Sequence, residues 1–274
     1  MPDHDTSGPD LLADQLERAR LQRRHLPAWT ASHPQFGPAA GYAVAAALAA
    51  RRRAAGERPV GRKIGMTNRA LWPAQQTAAP IWGQVWDSTL VQAPSGQATV
   101  DLAQATAPRI EPELGFRLKT AIDPARLSVR DLLACLDWVA PCFEVIDSHF
   151  GWKMLAADAI ADFGVHYRLV VGTPLAITPE RIAALEPALA ACEATLSLDG
   201  TAVERGRGAN TLGHPVQALA ALVELLAAQG EPPLAAGEII TTGTLTAPRE
   251  IAAGQRWTFR VTGLELAPLE VAFA

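Results

Sequence analysis

A chain of 274 residues, 49% of them hydrophobic, is long enough to build one large domain or two small ones around a real core. Its formal charge of -4 and pI ≈ 5.9 exclude the basic excess that nucleic acid or an anionic membrane surface would require, so neither is an expected partner. Three cysteines, odd in number and without C-x-x-C spacing, exclude a disulfide framework and a zinc knuckle and fit a reducing, cytoplasmic setting.

The opening MPDHDTSGPD is polar and acidic, unlike the basic start of a signal peptide, and no apolar run approaches the ~18 residues of a membrane span. Leu12, Leu16 and Ala19 recur at helical spacing. The alanine-rich segment from about Gly41 to Arg53 predicts a second helix, with Arg51 to Arg53 as a solvated end where cations complement the dipole. Residues 1–58 therefore read as a helical segment, followed by a second domain over 59–274. From Pro59 the character changes, and PVGRKIG, ATVDL and RIEPELGFRL predict strands. Ser128 followed by Asp131 predicts a helix running to about Val139 until Pro141 stops it, with CFEVID as the next strand. Asp199-Gly200 predicts a hairpin turn. A helix after Pro215 carries Leu219, Leu222, Val223 and Leu226 on one stripe, and EIITTGTL, RWTFRVTG and LEVAFA are again strand and turn. Strands and helices do not alternate regularly, which argues against a doubly wound parallel sheet and for an α+β fold on a strongly bent sheet.

In RIEPELGFRL, the two-residue period places Ile110, Leu114, Phe116 and Leu118 on one face and Arg109, Glu111, Glu113 and Arg117 on the other. Pro112 lacks a ladder N–H, which suits an edge strand with a solvated polar face. A third acid changes the balance. Glu144 shares its face with Cys142 and Ile146, where burial without a partner would cost several kcal/mol. A cation is one such partner. Three carboxylates with no nearby histidine or thiolate suit a hard, oxygen-seeking ion such as Mg²⁺ or Mn²⁺ rather than Zn²⁺.

Five blocks then carry a resemblance: GRKIGMTN (61–68), RIEPELGF (109–116), FEVIDSHFGWKMLAADAIAD (143–162), GANTLGHPVQAL (208–219) and ITTGTLTAP (240–248). Together and in this order they resemble the 2-oxopent-4-enoate hydratase and 4-oxalocrotonate decarboxylase family, within the wider fumarylacetoacetase-like fold. The resemblance implies a catalytic domain over 59–274 built on a strongly bent mixed sheet, close to a β-barrel-like roll. It implies that Glu111, Glu113 and Glu144 hold Mg²⁺ or Mn²⁺, and that Pro112 belongs to an irregular strand edge beside the site. Lys63, which alone would read as a solvated surface residue, matches the family's active-site lysine, and partial desolvation would lower its pKa for proton transfer. Thr244 matches a hydroxyl that hydrogen-bonds the bound acid. Lys153 and Asp147 match further substrate-side or supporting positions, and Arg69 or His166 would receive a second substrate carboxylate.

The implied activity is hydration of a 2-hydroxy-2,4-dienoate to a 4-hydroxy-2-oxo acid through a metal-stabilised dienolate. The alternatives are decarboxylation of a 2-oxo-3-enedioate, a non-catalytic subunit, and acylpyruvate-type C–C hydrolysis, which ranks lower because no histidine occurs between Lys63 and His149. A small 2-oxo acid is the implied substrate, and a homo-oligomer, able to associate with a related enzyme, the implied assembly. The chain departs from its relatives in ADFGVHYR, which brings Phe163, His166 and Tyr167 toward the expected pocket wall. It departs again in LWPAQQTAAPIWGQVWD, where Trp72, Trp82 and Trp86 either line a pocket for a longer tail or pack in the core.

Overall fold

The computed structural model describes residues 8–274, so the expectation drawn from the opening segment falls mostly on residues outside the described ones. Helices Pro9–Gln22 and Pro38–Ala54, with the short turn Trp29–Ser32 between them, make up the N-terminal part. Leu12, Leu16 and Ala19 pack against Val44, Leu48 and Ala49, and the same cluster includes Trp86, Phe150, Ala161 and Phe163 from farther along the chain. Gly41 explains how closely the second helix lies on Ala156–Ala161: a Cβ there would fall 2.5 Å from the Ala157 carbonyl oxygen. The arginines at the end of that helix are not simply solvated. Arg51 pairs with Asp14 and Glu17, both at 2.7 Å, and Arg52 pairs with Glu57 while lying over the Trp86 ring. Flanking acids and an indole offer these cations more than water does.

The principal sheet is mixed and has nine strands. Its main path runs Ile81–Trp86, Pro59–Gly65, Ile239–Thr241, Arg109–Leu118, Leu136–Ile146, His166–Val171 and Leu90–Gln92. The sheet curls until its two ends approach: Gly83, on the first strand of that path, sits where a Cβ would be 2.2 Å from the Phe163 carbonyl oxygen, in the turn leading to His166–Val171. A second, five-stranded sheet contains the hairpin Glu193–Leu198 and Thr201–Arg207, and packs on the first partly through Phe143 against Phe259. Asp199 and Gly200 both have positive φ, as the tight hairpin turn requires. Helix Pro215–Gln229 buries Leu219, Leu222, Val223 and Leu226 in the main core. Together with the preceding turn it spans Gly208–Gln229, 22 residues containing an 18-residue window of mean hydropathy 1.3, so one segment does reach the length and apolarity of a membrane span. Its apolar stripe is occupied by the protein's own core.

Two prolines sit inside central strands, contrary to what the sequence suggests. Arg109–Leu118 is an interior strand, and the helix at Val129–Ala134 is short, giving way at Leu136 to an 11-residue strand that runs straight through Pro141. Ser128 does cap that short helix, accepting the Asp131 N–H at 3.1 Å. Buried pairing on both sides of the run LDWVAPCFEVI then outweighs helix propensity. Both prolines face interruptions in the neighbouring strand. The Pro112 carbonyl accepts from Leu245 N, in the gap between Ile239–Thr241 and Arg249–Glu250. The Pro141 carbonyl accepts from Gly172 N, in the gap between His166–Val171 and Leu175–Ala176. A strand residue's nitrogen and oxygen point to the same side, so each missing N–H falls where no ladder partner exists.

Gly61 lets two parallel strands approach closely, since a Cβ there would lie 2.0 Å from the Ile239 carbonyl oxygen. Gly61→Ala is expected to cost about 3 kcal/mol by forcing the parallel pair apart. Pro112→Ala, with its nitrogen in a gap, should stay within about 1 kcal/mol of the parent. Thermal melts of the two variants beside the parent protein check both, and equal melting temperatures would refute the strand-contact account.

Candidate metal centre

Glu111 and Glu113 leave the same face of Arg109–Leu118, and Glu144 stands directly opposite Glu111 on Leu136–Ile146. One carboxylate oxygen from each can be chosen so that all three lie within 4.8 Å of one another. Glu113 and Glu144 are fully buried and Glu111 is half-buried. Glu113 Oε2 accepts the Gly243 N–H at 2.9 Å. Gly243 has φ +93, and a Cβ there would come 2.2 Å from Thr67 Oγ1, so glycine is what allows that N–H to reach in. Glu113 Oε1 and Glu144 Oε2 are buried and accept no hydrogen bond. Lys63 Nζ lies 3.1 Å from Glu144 Oε2, an ion-pair distance without hydrogen-bond alignment, and donates to the Gly164 carbonyl at 2.9 Å.

The electrostatics follow from burial and crowding. Burial raises the Glu111 pKa to about 7, with the neighbouring Glu144 charge adding to the rise and Lys63 opposing it. Burial and the other two acids hold Glu113 well above the usual carboxylate range. Burial acts on Glu144 in the same direction, but Lys63 and the hydrogen bond from His166 overcome it and keep this carboxylate low. For Lys63, burial pulls the pKa down, yet the three acids, Glu144 first, leave it above the ordinary lysine value. That corrects the lowered value expected from desolvation alone. Cys142, across the ladder from Glu113, is no thiolate, because burial pushes its pKa up. The donor set is therefore oxygen only. Converging buried carboxylates with unpartnered oxygens fit a hard divalent cation.

A cleft of about 730 Å³ opens onto Lys63 and Glu111, walled by Ile81, Ile146, Trp152 and Met154, with Thr244 and Arg205 also on its lining. Thr244 donates to the Thr246 carbonyl at 2.9 Å. The remaining expected substrate residues lie elsewhere. Arg69 is exposed, with its guanidinium over the Trp72 ring. Lys153 is exposed and off the cleft lining. Asp147 is buried, and its carboxylate accepts the backbone N–H groups of Thr106 and Ala107. Its position next to Ile146 puts it on the far side of the strand. His166 is not on the cleft wall either: its Nδ1 lies 2.9 Å from Glu144 Oε1 and its Nε2 lies 2.9 Å from Thr89 Oγ1. Burial lowers its pKa against the pull of Glu144, so the neutral ring donates Nδ1–H and orients the carboxylate.

The tryptophans divide in the same way. Trp82 stacks on Tyr42 and donates to Gln229, Trp86 is wholly buried under Arg52, and Trp72 donates to the Met66 carbonyl, so none of the three lines the cleft. The aromatic wall is Trp152, held by its N–H to the Ala107 carbonyl and by the Arg109 guanidinium 4.3 Å from its ring. Trp152, Met154 and Asn210 sit inside the blocks quoted above, whereas nothing in the sequence marks Arg205 beyond its place after the hairpin turn.

Residues 73–270, most of the chain, match the fumarylacetoacetate (FAA) hydrolase C-terminal model. The chain belongs to that family. Among its relatives, a 4-oxalocrotonate decarboxylase of Pseudomonas sp. (strain CF600) is 33% identical over 254 residues, covering 92% of either chain. A 2-hydroxyhexa-2,4-dienoate hydratase of Comamonas testosteroni is 32% identical over 254 residues, covering 91% of this chain and 92% of its own. The solved 4-oxalocrotonate decarboxylase from Pseudomonas putida G7, complexed with magnesium and adipate, superposes with a TM-score of 0.85 at 30% identity over 97% of each chain. That similarity accounts for the curled mixed sheet as the family's fold.

Two of the three acids hold protons to unusually high pH, so a dication must displace protons to bind. Mg²⁺ affinity should rise with pH by about tenfold per unit for each proton displaced, up to about pH 7 where Glu111 ionises. Without metal the linkage has the opposite consequence. A raised carboxyl pKa gives stability that is complete below the ordinary value and is lost as pH rises through the folded one, here about 7 for Glu111. Melts across that range with and without Mg²⁺ should therefore diverge as pH rises, and a gap that stays constant would contradict the assignment.

Proposed function

We propose that this chain is a divalent-metal-dependent lyase that hydrates a 2-hydroxy-2,4-dienoate, a small 2-oxo acid in its keto form, to a 4-hydroxy-2-oxo acid. One observation carries the proposal: an all-oxygen cluster of three acids, two fully buried and one half-buried, paired with Lys63 and reached through Glu111 from a cleft whose other walls are largely apolar. Relatives named as hydratases and decarboxylases, and a structural neighbour holding magnesium, support it. Glu111, Glu113 and Glu144 would hold the ion, Mg²⁺ or Mn²⁺ by donor chemistry. Once bound, it supplies Lewis-acid stabilisation of negative charge developing on the substrate's oxygens.

The chain's own groups do the rest. His166 and Lys63 fix the two oxygens of Glu144, and Gly243 fixes one of Glu113, so the carboxylates are set before substrate arrives. Lys63 carries protons on a side chain that reaches both the acid cluster and the cleft, and is the group we assign to proton transfer. Thr244 offers a hydroxyl on the cleft lining for the substrate's acid end. Ile81, Met154 and Trp152 give an uncharged vinyl or alkyl tail a place out of water. C–C hydrolysis is disfavoured, because among the described residues no histidine lines the cleft and His166 is committed to Glu144 and Thr89.

A second reading, decarboxylation of a 2-oxo-3-enedioate, is favoured by Arg205. Among the described residues it is, besides Lys63, the one cation on the cleft lining, and a guanidinium can hold a distal carboxylate with two hydrogen bonds. The readings separate when 2-hydroxypenta-2,4-dienoate and 2-oxohex-3-enedioate are offered with Mg²⁺ and both product acids and carbon dioxide are followed. Hydration of the monoacid is expected, with Arg205→Gln leaving it nearly unchanged. Carbon dioxide from the diacid without hydration of the monoacid would establish the second reading instead.

Chelation should abolish turnover and Mg²⁺ or Mn²⁺ restore it. Glu113→Gln should weaken metal binding far more than it shifts the melting temperature. Lys63→Ala should retain metal binding while losing roughly 10²- to 10⁴-fold in turnover. Wild-type turnover in that variant would remove Lys63 from the chemistry.

A further inference from the structure

On the other side of the Glu144 strand lies a second cavity of about 510 Å³, within the size range of small-molecule sites. Apart from His166, which orients Glu144, it is lined by residues that the proposed chemistry does not use, among them Asp147, His149 and Asp162 from the FEVIDSHFGWKMLAADAIAD block. Four arginines and four acids face it, but the charges do not cancel in place. Glu17 is held by Arg51, Glu57 by Arg52, Asp147 by two backbone N–H groups, and Asp162 by His149 at 2.9 Å. Each acid is thus occupied.

Two guanidiniums remain. Arg20 has no carboxylate within ion-pair distance among the described residues, although it is only partly exposed. Arg168 donates to the Tyr167 carbonyl and stacks on that ring, again without an acid. Burial is the largest penalty on the Arg20 charge, and the nearby Arg52 and Arg168 add repulsion that Asp162 and Glu57 offset only in part. The His149 ring is fixed through Nδ1 by Asp162, while its Nε2 is 3.8 Å from Asp147, too far for a hydrogen bond. Asp162 outweighs burial and raises the pKa of this ring, which favours its donating form.

Guanidiniums gathered in a partly desolvated hollow without ion-pair partners of their own are unfavourable unless an anion joins them. We propose that this cavity is a binding site for a small, multiply charged oxyanion, gripped by Arg20 and Arg168 with the His149 ring as a further donor. Inorganic phosphate and succinate present this chemistry with tetrahedral and planar groups respectively, so the pair of probes distinguishes a phosphate source from a dicarboxylate one. The two cavities share no lining residue: Lys63, Arg205 and Thr244 take no part in this one.

Calorimetric titration of the Mg²⁺-loaded protein with each probe tests the proposal. Saturable binding of at least one probe is expected, weakened about tenfold or more in Arg20→Gln/Arg168→Gln and unchanged in Arg205→Gln. The wild-type protein supplies a second measurement that does not depend on the variant folding: the bound probe should slow phenylglyoxal modification of Arg20, read by peptide mass mapping. No saturable binding at millimolar probe, a loss mirrored by Arg205→Gln, or unprotected Arg20 at saturation would each overturn it.

Discussion

Lys63 and Glu144 are in contact although two strands lie between theirs, and much of the site depends on how the sheet makes that possible. In a flat sheet their strands would stand three spacings apart, ~14 Å, yet the side chains meet at 3.1 Å. Curling the sheet toward that face closes the distance. Glycines permit it where backbones crowd: Gly61 against Ile239, and Gly83 against Phe163. Interrupted neighbours permit it too, because the strands beside Pro112 and Pro141 break and resume instead of imposing a continuous ladder. The break beside Arg109–Leu118 is also where the 242–248 segment crosses, bringing Gly243 to Glu113 and Thr244 to the cleft.

The same curl creates an electrostatic problem that the rest of the site addresses. Three acids on the concave face repel one another and resist burial, so the fold without a cation keeps two of them protonated and pairs the third with Lys63. His166 and Gly243 supply directional donors while leaving one oxygen on Glu113 and one on Glu144 without a hydrogen bond. An apolar cluster of the same volume would give a more stable protein, so the acids are explained by binding rather than by folding.

What could be read from the sequence was what periodicity alone decides. The alternation in RIEPELGFRL gave the correct faces, Asp199-Gly200 gave the hairpin, and the stripe after Pro215 gave a core helix. Depth and neighbours were not legible. Pro112 suggested an edge and Pro141 a helix stop because the gaps that accommodate them are made by segments thirty to more than a hundred residues away. Lys63 was expected to have a lowered pKa because burial can be guessed from a family position, whereas the sum of three facing charges requires coordinates. Arg69 was expected to receive a second substrate carboxylate, but the turn at Arg69–Leu71 directs it onto Trp72 and leaves Arg205, from another sheet, on the cleft.

The 143–166 segment shows why its polar residues resisted assignment to a single site. Along the strand, Ile146 lines the cleft and Glu144 shares its face, and the next residue, Asp147, turns to the opposite side. The loop that follows divides again, sending Trp152 and Met154 to the cleft and His149 to the second cavity. His166 closes the segment between the two, with one ring nitrogen on Glu144 and the other on Thr89, which lines the second cavity. One block of sequence thus forms a wall with chemistry on both sides. A motif match cannot tell which side a residue serves, but the strand's alternation and the hydrogen bonds of each side chain can.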